Sequence, residues 1–388
     1  MTAYDKNNLY NNYVQQQATA AFKNKLIGAN SLSKISEALP FRLYTPNFFV
    51  RISLGILSVV AILFSTVLVG AISSASSDSA YVSLAVILAL ICYGLLELFV
   101  ASNKYYNAGI DNVLLFAVVL FFIVAFNIID YPGQYQYTSA FCAVLCCWLA
   151  IRFNDSFMAG LSYASIIALC FFTCANAGTT GKLVAPFIIM LVSAMLFLVI
   201  KNMLARYTLV LYLRCFKIAE LLSLISFYAS LNYFVVRELG SLLLDNPIQP
   251  NEEIPFGWLF WFCTAVIPPA YVYYGIYRKD LLFVRTGVVL AVASVLTFRN
   301  YYAILPASVA MVLFGSLLII VSYLLIKYLK KPKGGFTSIA TSASERLHPD
   351  AEALILAQAF GRGNSHHDGG VDFGGGSSGG GGATGSFD

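Results

Sequence analysis

Apolar residues in this chain gather into long unbroken blocks separated by short polar turns. Such runs are long enough to cross roughly 30 Å of hydrocarbon at about 1.5 Å per residue. Ten helical spans are predicted, at 48–73, 81–101, 112–129, 138–153, 156–174, 183–201, 215–236, 256–276, 281–298 and 305–328. The fourth and fifth form a tight hairpin through Asn154 and Asp155, with Asp155 placed to cap the fifth helix by accepting a backbone N–H. The seventh is the least apolar. The expected fold is an all-α bundle of about ten transmembrane helices, divided into an N-terminal helical hairpin (1–47), the span domain (48–328) and a tail (329–388).

Composition agrees with the pattern. The 388 residues are 59% hydrophobic and 11% charged, with a mean hydropathy of +0.75. An ordinary soluble domain is about half apolar and a quarter charged. The net charge of +5 has a topological role here, not a nucleic-acid-binding one. One set of loops and ends collects most of the basic residues, Lys104, Arg152, Lys201, Arg206, Arg214, Arg278 and Lys279 among them, whereas the other set holds Lys182, Arg237 and Arg299. By the positive-inside rule both termini are expected in the cytoplasm. No cleavable leader is expected ahead of the first span, and the plainest location is the cytoplasmic (inner) membrane of a bacterium.

The first forty residues read as two short helices. Val14, Ala18, Ala21 and Phe22 share a face on the first; Leu32, Ile35 and Leu39 form the second, which Pro40 stops. This element is expected against the membrane surface or the inner loops, with docking of a protein partner as the alternative. Beyond Lys333 a short helix is predicted near 350–360, followed by a disordered segment in which 361–388 holds twelve glycines.

Much chemistry is excluded. The three histidines, His348, His366 and His367, all lie in the tail, so no span offers an imidazole for haem, copper or a proton relay. There is no Walker A motif, so ATP-driven pumping is not expected, and no catalytic constellation or cofactor site emerges. Cys142 with Cys146, and Cys170 with Cys174, are i,i+4 pairs on adjacent helices. A soft-metal or dithiol site there is weighed against simple packing, and packing is preferred.

The candidate lining of a cavity comes from polar groups at membrane depth. Glu97, Glu220 and Arg285 fall within a turn or two of one face and suggest a carboxylate–guanidinium cluster; the bland alternative is snorkelling, with Lys217 pairing Glu220 at i+3. Glu220, Ser223, Ser226, Ser230, Tyr233 and Arg237 fall in one arc of the seventh span. That arc either lines a polar cavity or packs a neighbouring helix. Pro268-Pro269 interrupts the eighth span and is expected to kink or break it, freeing carbonyls near Thr264 and Ala265. Pro186 is read as a first-turn proline.

The segment Phe41-Arg-Leu-Tyr-Thr-Pro-Asn-Phe-Phe-Val-Arg51 and the spans that follow resemble bacterial multispan families of unknown function that join a short cytoplasmic helical segment to a bundle. The ending from Phe373 to Phe387 is similar to the glycine-rich tails of bacterial membrane proteins carrying a TPM domain, although that domain is absent here. The resemblance carries no site residues. The expected function is a permease for a small solute or lipid, not driven by ATP. The alternative is a non-transporting scaffold that recruits a protein partner through its cytoplasmic ends.

Overall fold

In the computed structural model the chain is described at residues 2–23, 27–73, 77–205, 211–243 and 254–301, and at single positions 312, 315, 316, 319, 320, 323 and 327. The described residues form twelve helices: α1 (Lys6–Lys23), α2 (Ala29–Ala38), α3 (Phe48–Ile72), α4 (Asp78–Asn103), α5 (Ile110–Asn127), α6 (Gln134–Phe153), α7 (Ser156–Asn176), α8 (Gly178–Leu204), α9 (Leu213–Leu231), α10 (Tyr233–Leu243), α11 (Gly257–Arg278) and α12 (Leu281–Tyr301). Among these residues eight helices are long and apolar enough to cross a membrane, and the bent pair α9–α10 makes a ninth candidate. The tenth expected span, 305–328, lies outside the described residues except for the single positions above.

The exterior has the composition of a lipid-facing surface. Phe49, Phe64, Val144, Leu198 and Val289 are each more than 60% exposed, a distribution that water would penalise at about 25 cal/mol per Å² of apolar area. The α3 helix has no buried residue and packs chiefly on α5. The protein is a multi-pass helical membrane protein.

Successive helices pair as hairpins: α4 with α5, α6 with α7, α8 with α9 and α11 with α12. The connections at 104–109, 154–155 and 279–280, and the ends of α8 and α9, therefore share one end of the bundle, called here the basic end because Arg152, Lys201, Lys217 and Arg278 cluster towards it. The hairpin expected at Asn154–Asp155 is present. Asn154 takes the left-handed conformation at φ 52° that closes α6, a region Asn tolerates better than most residues, and Asp155 Oδ1 accepts from the Met158 N–H at 2.8 Å. Burial raises the Asp155 carboxyl from its ordinary value despite that bond.

Helix α9 is the hub, touching α7, α8, α10, α11 and α12. One core joins α4–α7, with Leu96, Val118, Leu149 and Met158 at its centre; a smaller one joins Leu231, Tyr233, Ile254 and Phe260.

The N-terminal helices dock on the basic end. Tyr4, Leu9 and Leu43 are buried in the larger core, and Tyr4 meets Tyr106 edge-on at 5.1 Å between ring centroids. Main-chain bonds run from Ala3 N–H to Arg152 O at 2.7 Å, from Tyr44 N–H to Lys104 O at 3.0 Å and from Tyr106 N–H to Tyr44 O at 3.1 Å. Arg214 donates to Gln16 Oε1 at 2.5 Å. The anchoring residues are thus Tyr4 and Leu9 together with Ala18 of the predicted face, whereas Phe22 of that face is 40% exposed. Gly109, just before α5, lets that turn approach α3 closely: its φ is +99°, and a Cβ there would lie 2.2 Å from Arg51 O.

Candidate functional site

Polar residues follow α9 from the basic end to the other. The sequence makes this seam by placing Glu220, Ser223, Ser226 and Ser230 at three- and four-residue intervals, so all face inward from the hub helix. At the basic end the Glu220 side chain is wholly buried. Lys201 of α8 contacts its Oε1, and Lys217 lies 2.9 Å from its Oε2. Lys201 also reaches Asp280 Oδ2 at 3.1 Å and stands over the rings of Phe197 and Phe283 at 5.7 and 5.5 Å, a cation–π setting that fixes the ammonium. A charge left alone at this depth costs several kcal/mol. Two cations and two carboxylates held together avoid that cost.

One turn further, Ser223 Oγ donates to the Glu220 carbonyl at 2.6 Å. Ser226 then meets the hydroxyls of two other helices, Tyr163 OH at 2.5 Å and Ser193 Oγ at 2.9 Å. Tyr271 OH donates to the Leu224 carbonyl at 3.3 Å. Ser230 closes back on the Phe227 carbonyl at 2.8 Å.

The seventh span, expected as one helix over 215–236, is broken. After Leu231 the chain turns at Asn232, and α10 leaves at 72° to α9. The broken ladder is repaired by side chains. Asn232 Nδ2 donates to Tyr228 OH at 2.9 Å and lies 3.2 Å from Thr297 Oγ1, while its Oδ1 accepts from Val235 N–H at 3.2 Å. Tyr233 N–H donates to Thr264 Oγ1 at 3.0 Å. The 19 residues of α9 rise about 28 Å, nearly a full hydrocarbon thickness. Its partner α10, with Arg237 and Glu238 opposed to Val236 and Leu239, has the amphipathic character of an interfacial helix. Tyr233 stacks on Trp261 at 4.3 Å, and Arg237 sits over the Tyr301 ring at 5.3 Å. Tyr233 and Arg237, expected on the same face as the serines, therefore belong to the bent arm.

The kink expected at Pro268-Pro269 is absent as a break: α11 stays helical from Gly257 to Arg278. Pro268 has no N–H for the Thr264 carbonyl, and Ser294 Oγ of α12 donates to that carbonyl at 2.8 Å in its place. Pro268 is fully buried, whereas Pro269 is exposed. Pro186 also differs from expectation. The α8 helix begins at Gly178, five residues before the predicted start, which puts the proline inside the helix.

The three ionisable candidates divide into separate surroundings. Glu97 pairs with Arg152 through bonds of 2.9 and 3.0 Å and accepts from Tyr93 OH at 2.9 Å. Glu220 is held by the lysines. Arg285 is half-buried in the second turn of α12, five residues beyond Asp280. Sequence reasoning took Lys201 only as one of the basic residues of its side and named Thr264 only for its carbonyl, and it missed Asp280, Tyr163, Ser193, Asn232, Ser294 and Thr297. One available signal was the hydroxyl series Thr286, Ser294 and Thr297 on a single face of α12, all buried.

No protein-family model, no curated protein and no solved structure matches the chain.

The eight cysteines are free thiols, and among the described residues no group of three or more His, Cys, Asp or Glu is arranged to hold a metal ion. Chemically, the seam offers paired charges at one end, exchangeable hydroxyls in the middle and an amide with two threonines at the helix break.

Proposed function

We propose that the protein is a permease for a small polar solute or a lipid headgroup, not driven by ATP, and that the seam along α9 is its translocation path in a closed state. The observation that carries this reading is the line of polar groups along α9, with Glu220, Ser223, Ser230 and Asn232 buried and Ser226 half-buried between them, ending at a 72° helix break. A wholly buried carboxylate such as Glu220 is costly at membrane depth and is a mark of solute or ion paths, and broken helices supply exchangeable backbone and side-chain bonds at transport sites. In this reading α10 is an outer lid hinged at Asn232, and the Lys201–Glu220–Lys217–Asp280 cluster is the inner gate.

In this reading the charge bias sets the basic end in the cytoplasm, and a tenth span over 305–328, expected from the sequence and outside the described residues, would bring both termini to that side. A bacterial inner membrane is the setting that fits this plan. The competing reading, a scaffold that recruits a protein through its cytoplasmic ends, is favoured by the mutual satisfaction of the seam's hydroxyls.

Cysteine accessibility separates the two. Ser226→Cys and Ser223→Cys, reconstituted in liposomes and compared with the unmodified chain, should react with a membrane-impermeant thiosulfonate from at least one aqueous face. Inert thiols at both positions, in protein that retains its fold, would remove the path and favour the scaffold.

A further inference from the structure

At the end of the bundle remote from the lysine cluster, the α5–α6 connection and the end of α7 line an open, shallow cleft of about 480 Å³. This volume falls within the roughly 300–1,000 Å³ typical of small-ligand sites. The seam contributes no residue to it. Its walls include Asp130, Tyr131, Gln134, Tyr135, Phe172 and Asn176.

Two features give the cleft a built shape. The left-handed Gly133, at φ 77°, turns the chain between Tyr131 and Tyr135, both of which line the cleft. Tyr135 is then stacked against Phe172 at 5.3 Å with the planes 25° apart, and Gln136 Nε2 ties the two helices by donating to the Phe172 carbonyl at 3.2 Å. The rings are held by a cross-helix bond and do not simply line the interface one by one.

The lining decides the sign of the ligand. Among the described residues it holds one carboxylate and no basic side chain, and Asp130 is exposed and makes no ion pair. Aromatic faces carry negative quadrupole potential and attract cations, quaternary ammonium groups above all. Asn176 adds a carbonyl oxygen that can face a positive group, while Gln134 Oε1 accepts from the Tyr131 N–H at 3.4 Å. An anion would meet repulsion from Asp130 and from the rings, against only the partial positive charge at the start of α6.

We propose that this cleft binds an alkylammonium group, Asp130 supplying the counter-charge and Tyr131, Tyr135 and Phe172 the aromatic walls. Its position beside the end of the spans makes a membrane lipid headgroup and a free organic cation equally suitable in chemistry. The site is independent of the permease reading.

Tetramethylammonium is the probe. The full chain in phosphatidylglycerol nanodiscs, which carry no alkylammonium lipid, is titrated while ligand-observed NMR follows the methyl signal, with empty nanodiscs subtracted. Saturable binding is expected. Asp130→Asn should weaken it about fivefold, the scale of an exposed charge contact, Tyr135→Ala should weaken it similarly, and Asp130→Glu should retain it. Thermal unfolding of each variant verifies that the fold is kept. Repeating the titration in phosphatidylcholine nanodiscs identifies the source: suppressed probe binding marks a lipid headgroup, unchanged binding a soluble cation. The proposal is overturned if the wild-type chain shows no saturable binding, if Asp130→Asn binds as tightly as wild type, or if a methyl glycoside binds this cleft and tetramethylammonium does not.

Discussion

Ser294 donates its hydroxyl to the Thr264 carbonyl at 2.8 Å, the carbonyl that Pro268, four residues later in the same helix, leaves without its usual N–H donor. A neighbouring helix thus completes a hydrogen bond that proline removes. Ser294→Ala should cost about 1 kcal/mol, within the range measured for interhelical bonds in membranes. In a Pro268→Ala background the restored N–H takes over, so the same substitution should cost less. A double-mutant cycle in detergent unfolding checks this; equal costs in both backgrounds would show that the two residues are not coupled.

Close packing of α11 on α12 rests on glycine. A Cβ on Gly287 would lie 2.9 Å from the Val272 backbone nitrogen and 3.1 Å from Pro268 O, and one on Gly275 would lie 2.7 Å from the Val284 nitrogen. Because backbone is the obstacle, the helices must separate to admit a methyl. Gly287→Ala should destabilise by about 1–3 kcal/mol, whereas Gly55→Ala, whose nearest atoms are 3.9 Å away, should be close to neutral. Unfolding midpoints of the two variants provide the comparison.

Removing Glu220 leaves Lys201 and Lys217 facing each other. Loss of one partner from a buried ion cluster costs about 3–5 kcal/mol, and the lower end applies because both lysines are partly exposed. Glu220→Ala should therefore be strongly destabilised, with Glu220→Gln intermediate. Lys217→Met should be milder than Lys201→Met, since only Lys201 joins Glu220 to Asp280. The order of unfolding midpoints tests the assignment, and a Lys217 variant weaker than the Lys201 one would reverse it.

The docked N-terminus should respond to alkali. Burial pushes the Tyr4 phenol well above its ordinary value of 10.0 and raises Tyr106 as well. Ionisation is therefore disfavoured in the folded state: the stability contribution is complete below pH 10.0 and is lost as pH rises through the higher folded value. Limited proteolysis of the N-terminal helices should stay slow past the ordinary phenol range and accelerate beyond it. Tyr4→Phe, which keeps the ring packing, should shift that acceleration further upward. Release at or below the ordinary phenol value would contradict the burial.

Much of the architecture was legible because membrane spans are marked by long apolar runs, and the Asn154–Asp155 hairpin because each residue has a local role in closing or capping a helix. The break at Asn232 was not legible. Neither glycine nor proline marks it; it is stabilised by Thr264 and Thr297, distant in sequence, and only their proximity makes the bend affordable. The reverse holds at Pro268, where a strong local breaker is silenced by Ser294. Candidate site residues were found where a helical period repeats, as with Glu220, Ser223, Ser226 and Ser230. They were missed where the partner lies on another helix, as with Lys201, Tyr163 and Ser193.

The central claim is that α10 moves as a lid about Asn232. Spin labels at Glu238→Cys on α10 and Thr173→Cys near the end of α7, both exposed positions, in a chain with its native cysteines replaced and held in lipid nanodiscs, report the distance between the arm and the bundle. Two resolved distances are expected, and Thr264→Ala, which removes the acceptor for the Tyr233 N–H, should shift the population towards the one not matched by the closed structure. A single narrow distance, unchanged by Thr264→Ala, would contradict the lid and with it the proposed path.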